Sequence, residues 1–173
     1  MATKDIYAKS MFTHKVQISI TEVGSNIKEI LELDTKNNLE GKCNKDGFIK
    51  PNSVQLISYS SGKVIQGSNI EFEVVLECLI AHPVEGMLIN CKAVNITKAG
   101  IKAELDMYEH SPLIIFISRD HFHDNDYFNS IKEDDKITVR VIGQRYELND
   151  TFIAVIGELV KPSKEYVAPY IEK

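Results

Sequence analysis

The strand pattern of the second half constrains this chain most. Five short apolar runs (Gly86 to Val94, Gly100 to Leu105, Leu113 to Ser118, Lys136 to Ile142 and Phe152 to Val160) are separated by turn residues, and a longer polar stretch, Arg119 to Asp135, follows the third. The run Leu113-Ile114-Ile115-Phe116-Ile117 is too short and too β-branched for a helix. Five short strands with one long connection after the third predict a small Greek-key barrel of the oligonucleotide-binding type. Gly86, Gly100, Gly143 and Gly157 fall at strand starts, turns or bends, as such a barrel needs. The tail from Pro162 is polar, with Tyr166 and Tyr170 set among prolines, and reads as a docking segment or a frayed end.

The first half reads differently. Lys15 to Ile20 alternates polar and apolar residues as a half-buried strand does. Ser25 to Leu33 carries apolar residues at helical spacing, with Ser25 as a cap, and Asp34 to Asn38 reads as a polar loop. Leu39 to Cys43 and Gly47-Phe48-Ile49 flank the turn Asn44-Lys45-Asp46-Gly47, where Asp-Gly between apolar runs signals a hairpin. Val54 to Tyr59 and Ile70 to Ile80 complete a small antiparallel sheet with one helix against it. His82-Pro83 suits a boundary, because proline donates nothing to a ladder and holds its predecessor extended. The expected division is therefore 1–82 and 83–173, and the expected fold class is α+β, mostly β.

Composition removes several classes. With 43% apolar and 26% charged residues, wholesale disorder, a collagen-like fibre and a coiled coil are excluded. No apolar run reaches the ~18 residues of a membrane-spanning helix, and the opening MATKDIYAKSMF lacks the apolar core of a secretory signal. Three cysteines with no C-x-x-C pair imply neither a zinc finger nor a disulfide framework. The formal charge is −5, and from Gly86 onward there are 11 basic and 14 acidic residues, so tight autonomous binding to nucleic acid is not expected.

No dinucleotide fingerprint, phosphate-binding loop or nucleophile elbow occurs. His121 and His123 would share one face of a strand, with nearby Asp as further metal ligands. They sit in the most loop-like stretch, however, where polar residues are expected anyway. Glu133-Asp134-Asp135 reads as a solvated turn rather than an acid–base pair. No cofactor and no metal is implied. The nucleic-acid case rests on Lys98, Lys102, Phe116, Arg119 and His121 near the second and third barrel strands, with Arg140, Arg145 and Tyr146 further along, although Phe116 also suits a core.

The order of these features resembles the stalk subunit of multisubunit DNA-dependent RNA polymerases, the family of the seventh subunit of eukaryotic polymerase II and its archaeal counterpart. Leu39-Glu40-Gly41-Lys42-Cys43 with Asp46-Gly47-Phe48-Ile49 is similar to that family's E-G-x-C…G-[YF]-I hairpin. Gly62-Lys63-Val64, Ser68 to Val74 and Pro83-Val84-Glu85-Gly86 are similar to its passage between two domains. Phe116-Ile117-Ser118-Arg119, Glu133 to Ile137, Val139 to Arg145 and Asn149 to Gly157 are similar to its F-I-S-R…D-D-x-I-R-x-K-I-V-G-x-R…N-D-I-F-A-I-G series. One departure is Ile101, where an aromatic usually follows the turn glycine.

The resemblance implies a truncated RNP-like tip domain followed by an S1-type barrel, and a non-catalytic role. It implies docking on the large polymerase subunits through Lys45, Asp46, Gly47, Phe48, Gly62 and Lys63. It also implies weak contact of nascent RNA with Lys98, Lys102, Phe116, Arg119, His121 and Arg145, and a small helical partner subunit as in cellular stalks. The scarcity of Arg, with only Arg119, Arg140 and Arg145 present, and the abundance of Ile and Asn suggest an AT-rich genome, such as a large DNA virus. The implied location is the virion and host cytoplasm for a viral protein and the nucleus for a cellular one. The alternative is a free-standing S1-type RNA-binding module of translation or RNA decay.

Overall fold

The computed structural model describes residues 6–106, 108–121 and 125–161. The tail from Pro162, read from sequence as a docking segment or a frayed end, lies outside the described residues. All strands up to Ala81 join one antiparallel sheet, and all strands from Leu88 onward close into a barrel.

In the sheet, β1 (Tyr7–Ser19) pairs along its whole length with β6 (Asn69–Ala81). The far side of β6 is shared by three short strands: β3 (Gly47–Ile49), β4 (Gln55–Tyr59) and β5 (Lys63–Val64). A fourth, β2 (Cys43–Asn44), pairs with β3. One face is apolar, with Val16, Phe72, Val74 and Leu76 buried against the helix α1 (Ile27–Leu39). The other face carries the ion pairs Lys9–Glu77 at 2.9 Å and Lys15–Glu71 at 3.2 Å.

The helix extends past the expected stop. Asp34 to Asn38, read from sequence as a loop, forms its last turns. Ile27, Leu31, Thr35 and Leu39 fall at i, i+4 spacing; Leu31 and Thr35 are fully buried, and Ile27 and Leu39 pack against the same core. Buried Thr35 is tolerated because its hydroxyl donates to the Glu32 carbonyl at 2.9 Å. Lys36 pairs with Glu32 at 2.7 Å, one turn away. Leu39 therefore ends a helix rather than opening a strand, and of the segment expected to run from Leu39 to Cys43 only Cys43 enters a strand.

The barrel strands are β7 (Leu88–Ile96), β8 (Gly100–Glu104), β9 (Leu113–Ser118), β10 (Lys136–Arg145) and β11 (Ile153–Val160). They close in the order β10-β11-β9-β8-β7, with β9 and β11 parallel and every other pair antiparallel. That closed five-stranded path is the one expected of an oligonucleotide-binding barrel. Gly100 is required at the head of β8, since a side chain there would run into the Ile117 carbonyl.

The connection after β9 is more than a polar insert. It forms a 3₁₀ turn (Arg119–His121) and the short helix α2 (Asn125–Ser130), which send Phe128 and Ile131 into the barrel core at 1% and 7% exposure. Polar residues dominate the stretch and hide in the sequence the two apolar residues that plug the barrel.

Two apolar clusters result. One lies wholly between α1 and the sheet. The other fills the barrel and includes Ile6, Cys43, Phe48 and Ala81 from the first half, so the two parts meet through a shared apolar seam.

Candidate nucleic-acid interface

The outer face of β8 and β9 follows from strand alternation. Ile101, Ala103, Ile115 and Ile117 point inward, which leaves Lys102, Glu104, Ile114 and Phe116 outward. Phe116 is 46% exposed, so its ring is available to a partner rather than used in the core. Its register neighbours are Lys102 on β8 and Ile156 on β11, the latter also exposed. Ile156 in turn faces Gly143, where a bulge turns Ile142 outward, and a second bulge beside Lys102 exposes Val94. Phe116 thus belongs to an apolar belt with Val94, Ile142 and Ile156, three residues that sequence reasoning missed. The alternation of β11 carried a signal for Ile156, but nothing in the sequence marks the bulges.

Above the belt lies an open groove of about 470 Å³ lined by Thr97, Gly100, Lys102, Phe116, Ser118 and Ile156, among others. At one end, Thr97 closes the β7–β8 turn, its amide donating to the Gly100 carbonyl at 2.9 Å, and Lys98 stands exposed on that turn.

Positive charge around this face is largely compensated. Lys102 pairs with Glu104 at 2.9 Å, Arg140 with Glu158 at 3.7 Å and Arg145 with Glu147 at 3.7 Å. Among the described residues, Lys98 has no such partner. The face therefore offers an aromatic ring and aliphatic surface more than it offers free cations.

The remaining expected residues scatter. Arg119 turns toward the plug, with its guanidinium 4.9 Å from the centroid of the Phe128 ring and its Nε buried without a hydrogen-bond partner. Arg145 ends β10 opposite Ala154, two positions beyond Gly143. The backbone of His121 lies in the 3₁₀ turn, and its side chain and all of His123 are outside the described residues. Among the described residues, no group of three His, Cys, Asp or Glu is placed to hold a metal ion.

The six expected docking residues form two separate patches. Phe48 sits opposite Ala81 at one end of β6, and Lys63 sits opposite Glu71 near the other. The ten residue steps of strand from Glu71 to Ala81 span about 33 Å. At the barrel end, Asn44 Oδ1 accepts from the amides of Asp46 (2.8 Å) and Gly47 (3.0 Å), which builds the expected turn. Gly47 has φ +138°, and a side chain there would strike the Ala81 carbonyl. Lys45 and Asp46 are exposed, but Phe48 is 5% exposed within the seam. Tyr146 donates from its hydroxyl to the Lys45 carbonyl at 3.1 Å. Burial, then the neighbouring Cys43 and Asp46, raise the Tyr146 phenol above its ordinary value. At the far end, Gly62 and Lys63 are exposed beside Tyr59, Val64 and Ile20, and the Ile20 amide donates to the Ser68 carbonyl at 2.9 Å.

Cys43, Cys78 and Cys91 are buried free thiols. No helix among the described residues is long and apolar enough to cross a membrane.

No protein-family profile matches the chain. A sequence likeness does exist, and it runs through both the sheet and the barrel: over 178 residues the chain is 26% identical to a protein of Acanthamoeba polyphaga mimivirus named as a DNA-directed RNA polymerase subunit, an alignment covering 92% of this chain and 85% of that one.

Proposed function

We propose that this chain is a non-catalytic subunit of a multisubunit DNA-directed RNA polymerase, and within it the stalk subunit. Residues 1–82 form the RNP-like tip domain and residues 83–173 the S1-type barrel. The observation that carries the reading is the extent of the likeness to the mimivirus polymerase subunit, which spans sheet and barrel together. A free-standing RNA-binding barrel would account for the second half alone.

In this reading the sheet docks on the large polymerase subunits and the barrel stands beside the exit path of nascent RNA. The far end, with Gly62 and Lys63 among exposed Ile20, Tyr59 and Val64, offers apolar contact area away from the barrel. The turn at Lys45 and Asp46 offers a second, polar patch close to the barrel. A wedge that binds a closed clamp better than an open one shifts the clamp toward closure by that difference in affinity. RNA is held loosely on the belt around Phe116, with Lys98, Lys102 and Arg145 as its cations. Loose holding suffices, because emerging transcript is tethered and arrives at high effective concentration. A small helical subunit would complete the stalk.

The test is affinity purification of the tagged full chain from cells that contain its polymerase. Recovery of the two largest polymerase subunits is the expected result. RNA or ribosomal proteins recovered without them would overturn the reading.

A further inference from the structure

Strand β1 is paired on one side only. Strand β6 runs along its whole length, and among the described residues no strand lies along its other edge. The hydrogen-bond phase says which groups face that open edge. The Ile20 amide donates to the Ser68 carbonyl at 2.9 Å, one step beyond the register pair Ser19 and Asn69. From the far side of β6, the Ser60 and Lys50 amides donate to the Glu73 and Leu79 carbonyls. Even-numbered residues of β1 therefore bond to β6, and the N–H and C=O groups of Lys9, Met11, Thr13, Lys15 and Gln17 point away from the sheet. An edge of this length is a template for another strand. Lysines commonly guard such an edge by repulsion, but here Glu77 holds Lys9 at 2.9 Å and Glu71 holds Lys15 at 3.2 Å, which cancels much of that charge.

We propose that this edge pairs with the same edge of a second copy of the chain, antiparallel about Thr13. Side chains select the register. A two-fold axis at Thr13 sets Met11 opposite Lys15 and Lys9 opposite Gln17 on the face away from α1, and Phe12 opposite His14 on the face that carries it. No lysine meets a lysine, and Met11, 58% exposed, gains the aliphatic stem of Lys15. Moving the axis to Phe12 would set Lys9 directly opposite Lys15 twice over, which is unfavourable. Moving it to His14 would set two imidazoles against each other.

Five residue pairs facing the axis at Thr13 exchange about ten backbone hydrogen bonds. Both α1 helices then lie on one face of a continuous sheet, with the barrels at its opposite ends. Each copy's open edge is consumed, so assembly closes at two copies. The dimer covers a row of backbone groups that would otherwise invite aggregation. This pairing belongs to the free chain and does not rest on the polymerase reading.

Sedimentation velocity of the full chain over a range of concentrations is the test. The expected result is monomer–dimer exchange, as a small, partly polar contact gives. Met11→Glu places a carboxylate opposite Lys15 of the other copy at two symmetric positions and should tighten the dimer several-fold, whereas Met11→Lys should weaken it by at least as much. The effect of either change on Glu77, the neighbour within the chain, is common to monomer and dimer and cancels. Thr13→Cys should give a disulfide-linked dimer on mild oxidation, because the Cα atoms of that pair stand about 5.5 Å apart. Gln17→Cys, which faces Lys9 instead, should not. The native thiols are buried and free. A parent chain that stays monomeric at every concentration would overturn the proposal. So would equal responses to Met11→Glu and Met11→Lys, or a Gln17→Cys protein that links as readily as Thr13→Cys.

Discussion

The Cys43 amide donates to the Asp150 carbonyl at 2.7 Å, and the Asn149 amide donates to the Cys43 carbonyl at 2.8 Å. This two-bond bridge joins the hairpin of the first half to the β10–β11 loop of the barrel. The loop is itself braced, because the Glu147 amide donates to Asp150 Oδ2 at 2.7 Å. The turn that displays Lys45 and Asp46 is thus held in fixed relation to the barrel, with Phe48 and Cys43 packed beneath it.

The first prediction concerns that seam. Phe48→Ala removes a buried ring and should lower unfolding free energy by about 3–5 kcal/mol. Lys45→Ala and Asp46→Ala, both exposed, should stay within about 0.5 kcal/mol. Denaturant melts followed by circular dichroism check this. A Phe48→Ala protein as stable as the parent would mean that its ring does not pack in the seam. Polymerase capture by the Lys45 and Asp46 variants then reports on docking without a folding defect.

The plug gives the second prediction. Phe128→Ala should cost about 3–5 kcal/mol. Arg119→Lys keeps the charge but loses the planar guanidinium over the ring, and should cost about 1 kcal/mol. Because Arg119 faces Phe128 rather than the belt, this variant should leave RNA affinity unchanged once stability is allowed for. Melting curves and parallel binding titrations separate the two effects.

Much of the fold was legible because alternation states which side chains face inward. Leu113 to Ser118 and Phe152 to Val160 could be read as strands from their pattern alone, and the closed order follows from five strands and one long connection. What was not legible depends on partners distant in sequence. Asp34 to Asn38 is polar, and becomes helix because Thr35 can bury its hydroxyl against Glu32 while Lys36 reaches back to the same residue. Phe128 hides in a polar stretch whose helix forms against the barrel. Phe48 resembles an exposed tip residue until the β10–β11 loop folds over Cys43. For the belt, Phe116 was identified by its residue type, whereas Val94 and Ile142 depend on bulges that no local signal announces.

The third prediction follows from the thiols. Burial, with Asp150 nearby, raises Cys43 to about 11; burial raises Cys78 to about 11, with small acidic contributions; burial alone raises Cys91 to about 12. Well below the ordinary thiol value of about 8.5 the thiols are protonated in both folded and unfolded chains and contribute nothing to pH dependence. Above it the unfolded thiols ionise while the folded ones do not, so stability should fall from pH ~9 up to the folded values. Denaturant midpoints at pH 8 and 10.5 should show the loss, and Cys78→Ala should reduce it. A thiol reagent should find no reactive cysteine in the native protein at pH 8 and three after unfolding.

The last prediction tests what the belt can do with RNA. Phe116 is half exposed, so Phe116→Ala should leave stability within about 0.5 kcal/mol. If a base stacks on it, the same change should weaken binding of a single-stranded oligoribonucleotide by about 1–3 kcal/mol. The cations tell a separate story. Lys102, Arg140 and Arg145 each lie within 4 Å of a carboxylate, so few phosphates can displace counterions at this face. The plot of log affinity against log salt should therefore be shallow, near the ~0.7 expected per phosphate on a single strand. Lys98→Ala should remove most of that slope, whereas Phe116→Ala should lower affinity and leave the slope intact. Fluorescence anisotropy titrations at several salt concentrations measure both quantities. A slope of about 3 or more would mean that phosphate contacts dominate and that the ion pairs on this face open when RNA binds.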